Sequence, residues 1–254
     1  LWRARHICAP SANPKIVSGV ERAGAMISCI NLFRKDPTIS DSEFDAFLHD
    51  VYAPLCLQIP ELESFEFDRV TAKERGDASS EAILADAFTI ERYVDLDAYE
   101  EARRSNAYAA VLRERVNAVM YEETYVCLEN VSIPLRVEDG CQKKMTLLGR
   151  TVPDVSFEDF TREWFVVHSG CMAKMPTDIF YGYNQHLIID RMINGRHVTH
   201  DRLPFDGILE LFFSEASEVA NAFQTILEGH ATVAHRKEFM SSVNPFLVDF
   251  AVVK

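Results

Sequence analysis

Two stretches of this sequence repeat one another. Residues 32–44 read LFRKDPTISDSEF, and residues 148–160 read LGRTVPDVSFEDF. At a constant offset of 116 positions they share a leucine, an arginine, a proline, a serine and a phenylalanine. The same offset, without a gap, still aligns Pro60 with Pro176 and Phe67 with Tyr183. A register that holds over 36 positions indicates an internal duplication of one supersecondary unit.

Each copy predicts the same order of elements. An apolar run predicts a strand, and a serine followed three residues later by an acidic residue (Ser40 and Glu43; Ser156 and Asp159) predicts a capped helix start. Two more strands, a helical stretch and a last strand follow. The predicted strands are 26–33, 63–70, 85–93 and 121–132, then 145–148, 179–189, 207–213 and 244–253. The predicted helices are 40–57 and 96–120, then 156–172 and 215–239, with the long ones broken at Asn106 and Gly229.

The order is therefore βαββαβ twice, the split-βαβ or ferredoxin-like plan of an α+β protein. We expect an N-terminal extension over residues 1–25, a first repeat over 26–134, a linker at about 134–144 and a second repeat over 143–254. One unit leaves one sheet face bare, so two units can bury their bare faces against each other. One chain would then form an intramolecular dimeric α/β barrel, and whether this chain dimerises again is left open.

Composition narrows the class of protein. The chain has 254 residues, a net charge of −13 and 48% hydrophobic residues, without an apolar run long enough for a membrane helix. The acidic balance argues against nucleic acid and membrane partners and favours a cytoplasmic protein. Six cysteines without a CxxC pair favour reduced thiols. Because no nucleotide-binding glycine motif occurs, we expect no such cofactor.

One helix of the second repeat concentrates the residues that suggest chemistry. Phe160, Trp164 and His168 are spaced four residues apart, so they lie along one helical face, which Cys171 continues. A buried imidazole can take up and return a proton. The alternative is a core histidine satisfied by one hydrogen bond.

This F-x3-W-x3-H helix, following a strand that ends in Arg150, resembles the EthD family of dimeric α/β-barrel proteins. The resemblance continues through the stretches Tyr181-Gly-Tyr-Asn-Gln-His186 and Phe205-Asp206-Gly207-Ile208, and covers most of residues 143–253. The first repeat is similar to a diverged EthD unit, in which Tyr52 stands where the helix histidine would be. The resemblance therefore implies one active site, in the second repeat.

The resemblance also implies a pocket between sheet and helices for a hydrophobic aromatic, lactone or polyketide-like small molecule. Relatives in this superfamily include muconolactone-type isomerases, polyketide cyclases, quinol monooxygenases and heme-binding barrels, so the fold alone does not fix the reaction. We predict His168 as the general base or acid, with His186 and Asp206 assisting. The predicted substrate-binding residues are Trp164, Tyr181, Tyr183, Asn184, Cys171 and Arg150.

Several of these residues have competing interpretations. Side chains alternate along a strand, so either Asn184 and His186 or the tyrosines beside them face the helix of His168. We favour the first arrangement, with Tyr181 and Tyr183 packed between the sheets; in the alternative, His186 meets the other repeat. Asp206 either orients a histidine or binds backbone N–H groups in a turn.

The remaining candidates also have a structural alternative. Arg150 either anchors an anion or forms an ion pair at a strand end, and Cys171 is either a nucleophile or a core thiol. His197 and His200 are three residues apart in a polar loop, a spacing that does not make a convincing metal site, so we expect none.

Three functions follow. The preferred hypothesis is a cofactor-independent isomerase, cyclase or lyase using acid–base chemistry. The second is a quinol monooxygenase or heme-binding redox barrel with His168 as the ligand. The third is a non-catalytic small-molecule-binding barrel. An imidazole that faces a pocket favours the first two, and a fully packed one favours the third.

Overall fold

The computed structural model describes residues 26–73, 83–136, 141, 143–175, 180–219, 222 and 230–254. The expected N-terminal extension over residues 1–25 and the predicted helix break at Gly229 lie outside these residues. Among the described helices, none is long and apolar enough to cross a membrane.

Eight antiparallel strands close into a barrel. The first repeat supplies β1 to β4 and the second repeat supplies β5, β6, β8 and β9, with the short β7 extending β6 as a hairpin. Around the barrel the order is β4-β1-β3-β2-β9-β5-β8-β6, and a β4–β6 pairing closes it. The strands are β1 (Ile27–Lys35), β2 (Leu62–Lys73), β3 (Ala87–Tyr93), β4 (Val119–Ile133), β5 (Lys143–Thr151), β6 (Gly182–Ile193), β7 (Arg196–His197), β8 (Gly207–Phe213) and β9 (Met240–Val252).

The duplication explains this closure. In each repeat the second strand pairs with the last strand of the other repeat, β2 with β9 and β6 with β4. No sheet edge is left between the repeats, and the two bare faces become one enclosed interior. The predicted tandem α/β barrel is therefore confirmed, including its α+β class.

Helices cover the outside of the barrel. The first is α1, built from Asp41–Ala46, a π-helical turn over Phe47–Tyr52, and Ala53–Cys56. Then come α2 (Leu96–Arg104) and α3 (Asn106–Arg115). The counterpart of α1 is α4, built from Phe157–Arg162, a π-helical turn over Glu163–His168, and Ser169–Met172, and α5 spans His230–Phe239.

The capping predictions hold at both repeat helices. Ser40 accepts from the backbone N–H of Glu43 in a reciprocal capping box. Ser156 accepts from the backbone N–H of Asp159 as a one-way cap, without the return bond of a capping box. The predicted helix over 96–120 is wrong at its end, because the helix stops at Arg115 and Val119 already pairs with β1. Its internal break lies one residue before the predicted position, where Ser105 caps α3.

The barrel interior has two layers. One is apolar and includes Ile30, Leu32, Phe88, Ile90, Leu148, Ile208 and Phe246. The other is charged and fully enclosed. There the Lys144 ammonium forms ion pairs with Glu66, with Asp68 at 2.7 Å and with Glu210. Arg92 joins Glu66 at 3.3 Å and Glu129 at 2.8 Å.

Glu66, Asp68 and Glu210 have the donor types and spacing of a metal site. Lys144 lies between them, so its ammonium already supplies the cation there. Within the described part of the chain, four carboxylates nevertheless share two permanent cations, Lys144 and Arg92; the carboxylates are those of Glu66, Asp68, Glu129 and Glu210. Burial opposes ionisation, yet the Lys144 charge holds the pKa of Glu66 below, and that of Glu210 well below, its ordinary value. Burial raises the pKa of Asp68 well above its ordinary 3.8.

We predict opposite effects from neutralising two of these carboxylates. A raised pKa favours the protonated native form, so the contribution of Asp68 to stability is lost as pH rises from its ordinary pKa through its folded pKa. Asp68→Asn should therefore stabilise the protein at pH 7 by about 1 kcal/mol, which is the usual free-energy cost of one unsatisfied buried polar group. The ionised Glu210 carboxylate stabilises the folded protein at pH values above its ordinary pKa, so Glu210→Gln should destabilise the protein. Urea unfolding at pH 5 and pH 7 tests both, and the same sign for both variants contradicts this assignment.

Candidate functional site

The predicted histidine lies between α4 and the outer face of the sheet. Phe160, Trp164 and His168 are 1%, 0% and 7% exposed, so the four-residue spacing does place them on one buried face. The π-helical turn that ends at His168 recurs in α1, where it ends at Tyr52. Such turns in helices occur frequently at functional sites.

A second histidine and a carboxylate extend from His168. Nδ1 of His235, on α5, lies 3.4 Å from Nδ1 of His168, and the two rings stack 17° from parallel. Nε2 of His235 lies 3.1 Å from Oε2 of Glu163. The result is a carboxylate–imidazole–imidazole chain between α4 and α5. Neither Glu163 nor His235 was predicted from the sequence.

This chain determines which nitrogens carry protons. When both rings are neutral, Nε2 of His235 donates to the Glu163 carboxylate, so Nδ1 of His235 is an acceptor. Nδ1 of His168 then donates to it, which leaves the lone pair of His168 on Nε2. Burial lowers the pKa of His168 to about 3, and His235 and Arg236 act in the same direction. At neutral pH the ring is therefore uncharged.

Nε2 of His168 is the reactive end of the chain. It has no polar partner among the described residues, and it is not among the fully buried polar atoms that lack a partner. The His168 side chain as a whole is buried, with 7% of its surface exposed. Rings of Tyr183 and Phe239 flank the imidazole, with centroids 6.3 Å and 5.5 Å away.

A hydrogen-bond network fixes the hydroxyl of Tyr183, whose ring centre lies 6.3 Å from that of His168. Its oxygen accepts from the Trp164 indole at 3.2 Å and from the Gln185 amide at 3.1 Å. Gln185 is itself fixed, because its carbonyl accepts from Ser169 at 2.7 Å and from Asn130 of the first repeat at 2.6 Å. Burial raises the pKa of Tyr183. The hydroxyl thus keeps its proton and has it available for an acceptor.

The favoured orientation of β6, in which Asn184 and His186 face the helix of His168, is wrong. The alternative, in which His186 meets the other repeat, is correct. Tyr183 faces the helix, whereas Asn184 and His186 face the barrel interior. His186 bonds Ser28 of the first repeat at 2.8 Å through Nδ1 and Glu210 at 3.0 Å through Nε2. Asn184 donates to the same carboxylate at 3.2 Å. The charged layer provides the polar partners of these two side chains.

Asp206 does not orient either candidate histidine. Its Oδ2 accepts from the backbone N–H and the hydroxyl of Thr151, at 2.7 Å and 2.8 Å, and its Oδ1 pairs with His200 at 2.9 Å. The structural interpretation of a turn aspartate is therefore the correct one. His197 pairs instead with Asp190 at 2.8 Å, so the two loop histidines serve separate ion pairs.

The other predicted binding residues are dispersed. The Arg150 guanidinium lies 5.1 Å from the Phe205 ring centre at one end of the barrel, away from the helix face. Tyr181 is half-buried just before β6. Cys171 is 5% exposed and is in no disulfide among the described residues. The structure thus brings together His168, Trp164 and Tyr183 from the predicted set.

The corresponding place in the first repeat has different chemistry. Tyr52 packs among the rings of Phe33, Phe47 and Phe65. Deeper in that layer, burial raises the pKa of Glu91 and raises that of Glu122 to about 7. The sequence analysis missed these acids, which occupy strand positions without a motif. The imidazole of His49 meets the edge of this layer, where its ring centre lies 4.5 Å from that of Phe67.

Two clefts on the described surface have walls that do not include His168. One of about 500 Å³ lies between α2 and the strands β4 and β6, with Arg103 and Tyr99 in its wall. The other, of about 200 Å³, lies at the end of the barrel beside Arg34.

Solved structures share this architecture over the whole tandem pair. A candidate monooxygenase from Lactobacillus acidophilus NCFM is 13% identical, with a TM-score of 0.54 over 90% of this chain and 95% of its own. An anthrone oxidase-like protein is 9% identical, with a TM-score of 0.57 over 90% and 93%. These matches support the fold.

An EthD family protein from Bacillus halodurans C-125 is 21% identical and covers 36% of this chain and 85% of its own, with a TM-score of 0.30. No protein-family model matches the sequence, and no curated protein matches it.

Proposed function

We propose that this tandem α/β barrel is an enzyme that moves a proton on a hydrophobic small molecule, with His168 as the base. The observation that carries the proposal is the hydrogen-bonded chain Glu163–His235–His168, which leaves Nε2 of His168 without a polar partner among the described residues. A histidine kept only for packing needs one partner. Here the Glu163 carboxylate, linked to His168 through His235, specifies which nitrogen of His168 stays unprotonated.

The proposed proton transfer uses two groups, Nε2 of His168 and the hydroxyl of Tyr183. Nε2 of His168 takes a proton from a carbon next to a carbonyl, and the electron pair moves to the carbonyl oxygen. The Tyr183 hydroxyl donates to that oxygen, while Trp164 and Gln185 hold it in place. The buried imidazolium is disfavoured, so it readily returns the proton to another carbon, which completes an isomerisation. An elimination or ring closure from the same oxyanion gives a lyase or cyclase.

The surroundings define the substrate class. Trp164, Phe239 and the ring of Tyr183 are buried apolar surfaces around the reacting nitrogen. An aromatic ketone or an unsaturated lactone combines such an apolar body with an acidic C–H bond. The described residues do not fit a heme, because the rings of Tyr183, His235 and Phe239 already lie 5.5–6.3 Å from that of His168.

The second candidate is a non-catalytic barrel that binds such molecules unchanged. The 7% exposure of His168 favours it, because substrate must reach Nε2 through a narrow approach.

Hydrogen exchange separates the two candidates. We expect the wild-type protein to accelerate the loss of α-protons from 2-tetralone and α-angelica lactone in D₂O, as followed by proton NMR. His168→Gln should lower this rate by about 100-fold or more, the usual contribution of a positioned base. His197→Gln, whose side chain is 73% exposed, is the matched control and should retain the rate.

Two results would contradict the proposal. If the protein binds these probes without accelerating exchange, it is a binding barrel. If His168→Gln exchanges as fast as the wild type, another group is the base.

A further inference from the structure

The arginine that recurs in both repeats marks one end of the barrel. Arg34 lies near the end of β1, and its counterpart Arg150 lies near the end of β5. These two strands do not pair with each other, but they run in the same direction around the barrel. The cleft of about 200 Å³ opens at this end. Its wall includes Arg34, Arg202, Tyr121, Glu123, Leu84 and Phe205. The proton-transfer site proposed above lies in a different layer, between helix and sheet.

Positive charge predominates in this cleft. The Arg34 guanidinium lies 5.3 Å from the Tyr121 ring centre, and neither Arg34 nor Arg202 has a carboxylate partner among the described residues. Glu123 is the acidic residue of the wall, and its two oxygens accept from Tyr121 at 3.2 Å and from Tyr125 at 2.5 Å. Two guanidinium groups and one carboxylate leave a net charge of +1 in a protein of net charge −13.

Both arginines influence the pKa of Tyr121. Burial and Glu123 raise the pKa of Tyr121 to about 12, while Arg34 and Arg202 both act to lower it. Arg34 and Arg202 both line the cleft together with Tyr121. Guanidinium groups bind carboxylates with paired hydrogen bonds, and such pairs are stronger than neutral hydrogen bonds.

The rest of the wall is apolar. Leu203 and Phe205 are 4% and 3% exposed and form the floor, whereas Leu84 is 59% exposed at the rim. A large aliphatic side chain exposed beside two unpaired cations suits a ligand with an apolar body and an anionic head. The volume is below the roughly 300–1,000 Å³ of sites for drug-sized ligands, which limits the ligand to a small one.

We infer that this end of the barrel is a binding site for a small carboxylate with an aromatic or branched aliphatic body. Arg34 and Arg202 hold the carboxylate, and Leu84 and Phe205 contact the apolar part. The site is separate from His168, so it does not depend on the proposed reaction.

Calorimetry with benzoate tests the inference, with benzamide as the uncharged probe of the same shape. We expect millimolar or tighter binding of benzoate, at least tenfold tighter than that of benzamide. Arg34→Met and Arg202→Met should each weaken benzoate binding by at least tenfold. Arg196→Met, an exposed arginine outside the cleft wall, is the control for net charge and should change it by less than twofold.

The outcomes are distinct. Equal binding of both probes, unchanged binding to the Arg202→Met protein, or no benzoate heat in the wild type would each overturn the site. Arg202 is exposed, so that variant is expected to fold normally even if Arg34→Met does not. Loss of benzoate binding in His168→Gln would instead place the benzoate at the proton-transfer site, which also overturns it.

Discussion

Lys144→Met is expected to destabilise the barrel by about 3–5 kcal/mol, the usual cost of removing one partner from a buried ion pair. Lys144 is fully buried and pairs with Glu66, Asp68 and Glu210, of which Asp68 and Glu210 are themselves 0% exposed at the side chain. Methionine keeps the length of the side chain and removes its charge. Two ionised carboxylates then remain in an interior with Arg92 as the only nearby permanent cation among the described residues.

The neighbouring lysine is the matched control. Lys143 precedes Lys144 on β5, points to the other face and pairs with Asp249, which is 51% exposed at the side chain. Exposed ion pairs contribute about 0–1 kcal/mol, so Lys143→Met should change the free energy of unfolding very little. Urea unfolding of both variants at pH 7 measures the difference. Similar effects from the two substitutions would show that the Lys144 ion pairs do not stabilise the fold.

The fold was predictable because its evidence is periodic. The fixed offset between the repeats predicted βαββαβ twice, and the serine caps of α1 and α4 were located correctly. The charged interior was not predictable, because Glu66 and Asp68 alternate with Phe65 and Phe67 on a strand whose two faces are both buried. Lys144 was assigned to the linker, although β5 already begins at Lys143. Which strand face turns inward depends on pairing between repeats, and a single strand carries no signal for it.

The site was predictable only along the helix that carries it. Helical spacing placed Phe160, Trp164 and His168 on one face, and the structure agrees. The partners Glu163 and His235 are 72 residues apart in sequence, and only the packing of α5 on α4 brings them together. Glu163 is half-buried in the middle of α4 and follows Arg162, with which it forms an ion pair at 2.6 Å, so its sequence context gives no sign of a role.

Gly207→Ala is expected to destabilise the protein by about 3 kcal/mol or more, at the upper end for overpacking of a core. A Cβ at Gly207 would lie 2.1 Å and 2.2 Å from two indole carbons of Trp164, where real contacts of this kind exceed 3 Å. Trp164 cannot move aside easily, because it is fully buried against Phe160 and Phe165 and its indole N–H donates to Tyr183. The glycine is thus required by close approach of the ring.

A second glycine in the same region gives the opposite expectation. Gly170 lies in α4 with no atom within 4 Å of an added Cβ, so Gly170→Ala should stabilise the helix by about 1 kcal/mol. Thermal unfolding compares the two variants. The indole N–H resonance of Trp164 should shift in Gly207→Ala and stay in Gly170→Ala, because the first substitution alone displaces the donor that holds the Tyr183 hydroxyl. A Gly207→Ala protein with unchanged stability and an unchanged resonance would show that the indole is not held against β8, and the hydroxyl beside His168 would then lack its fixed position.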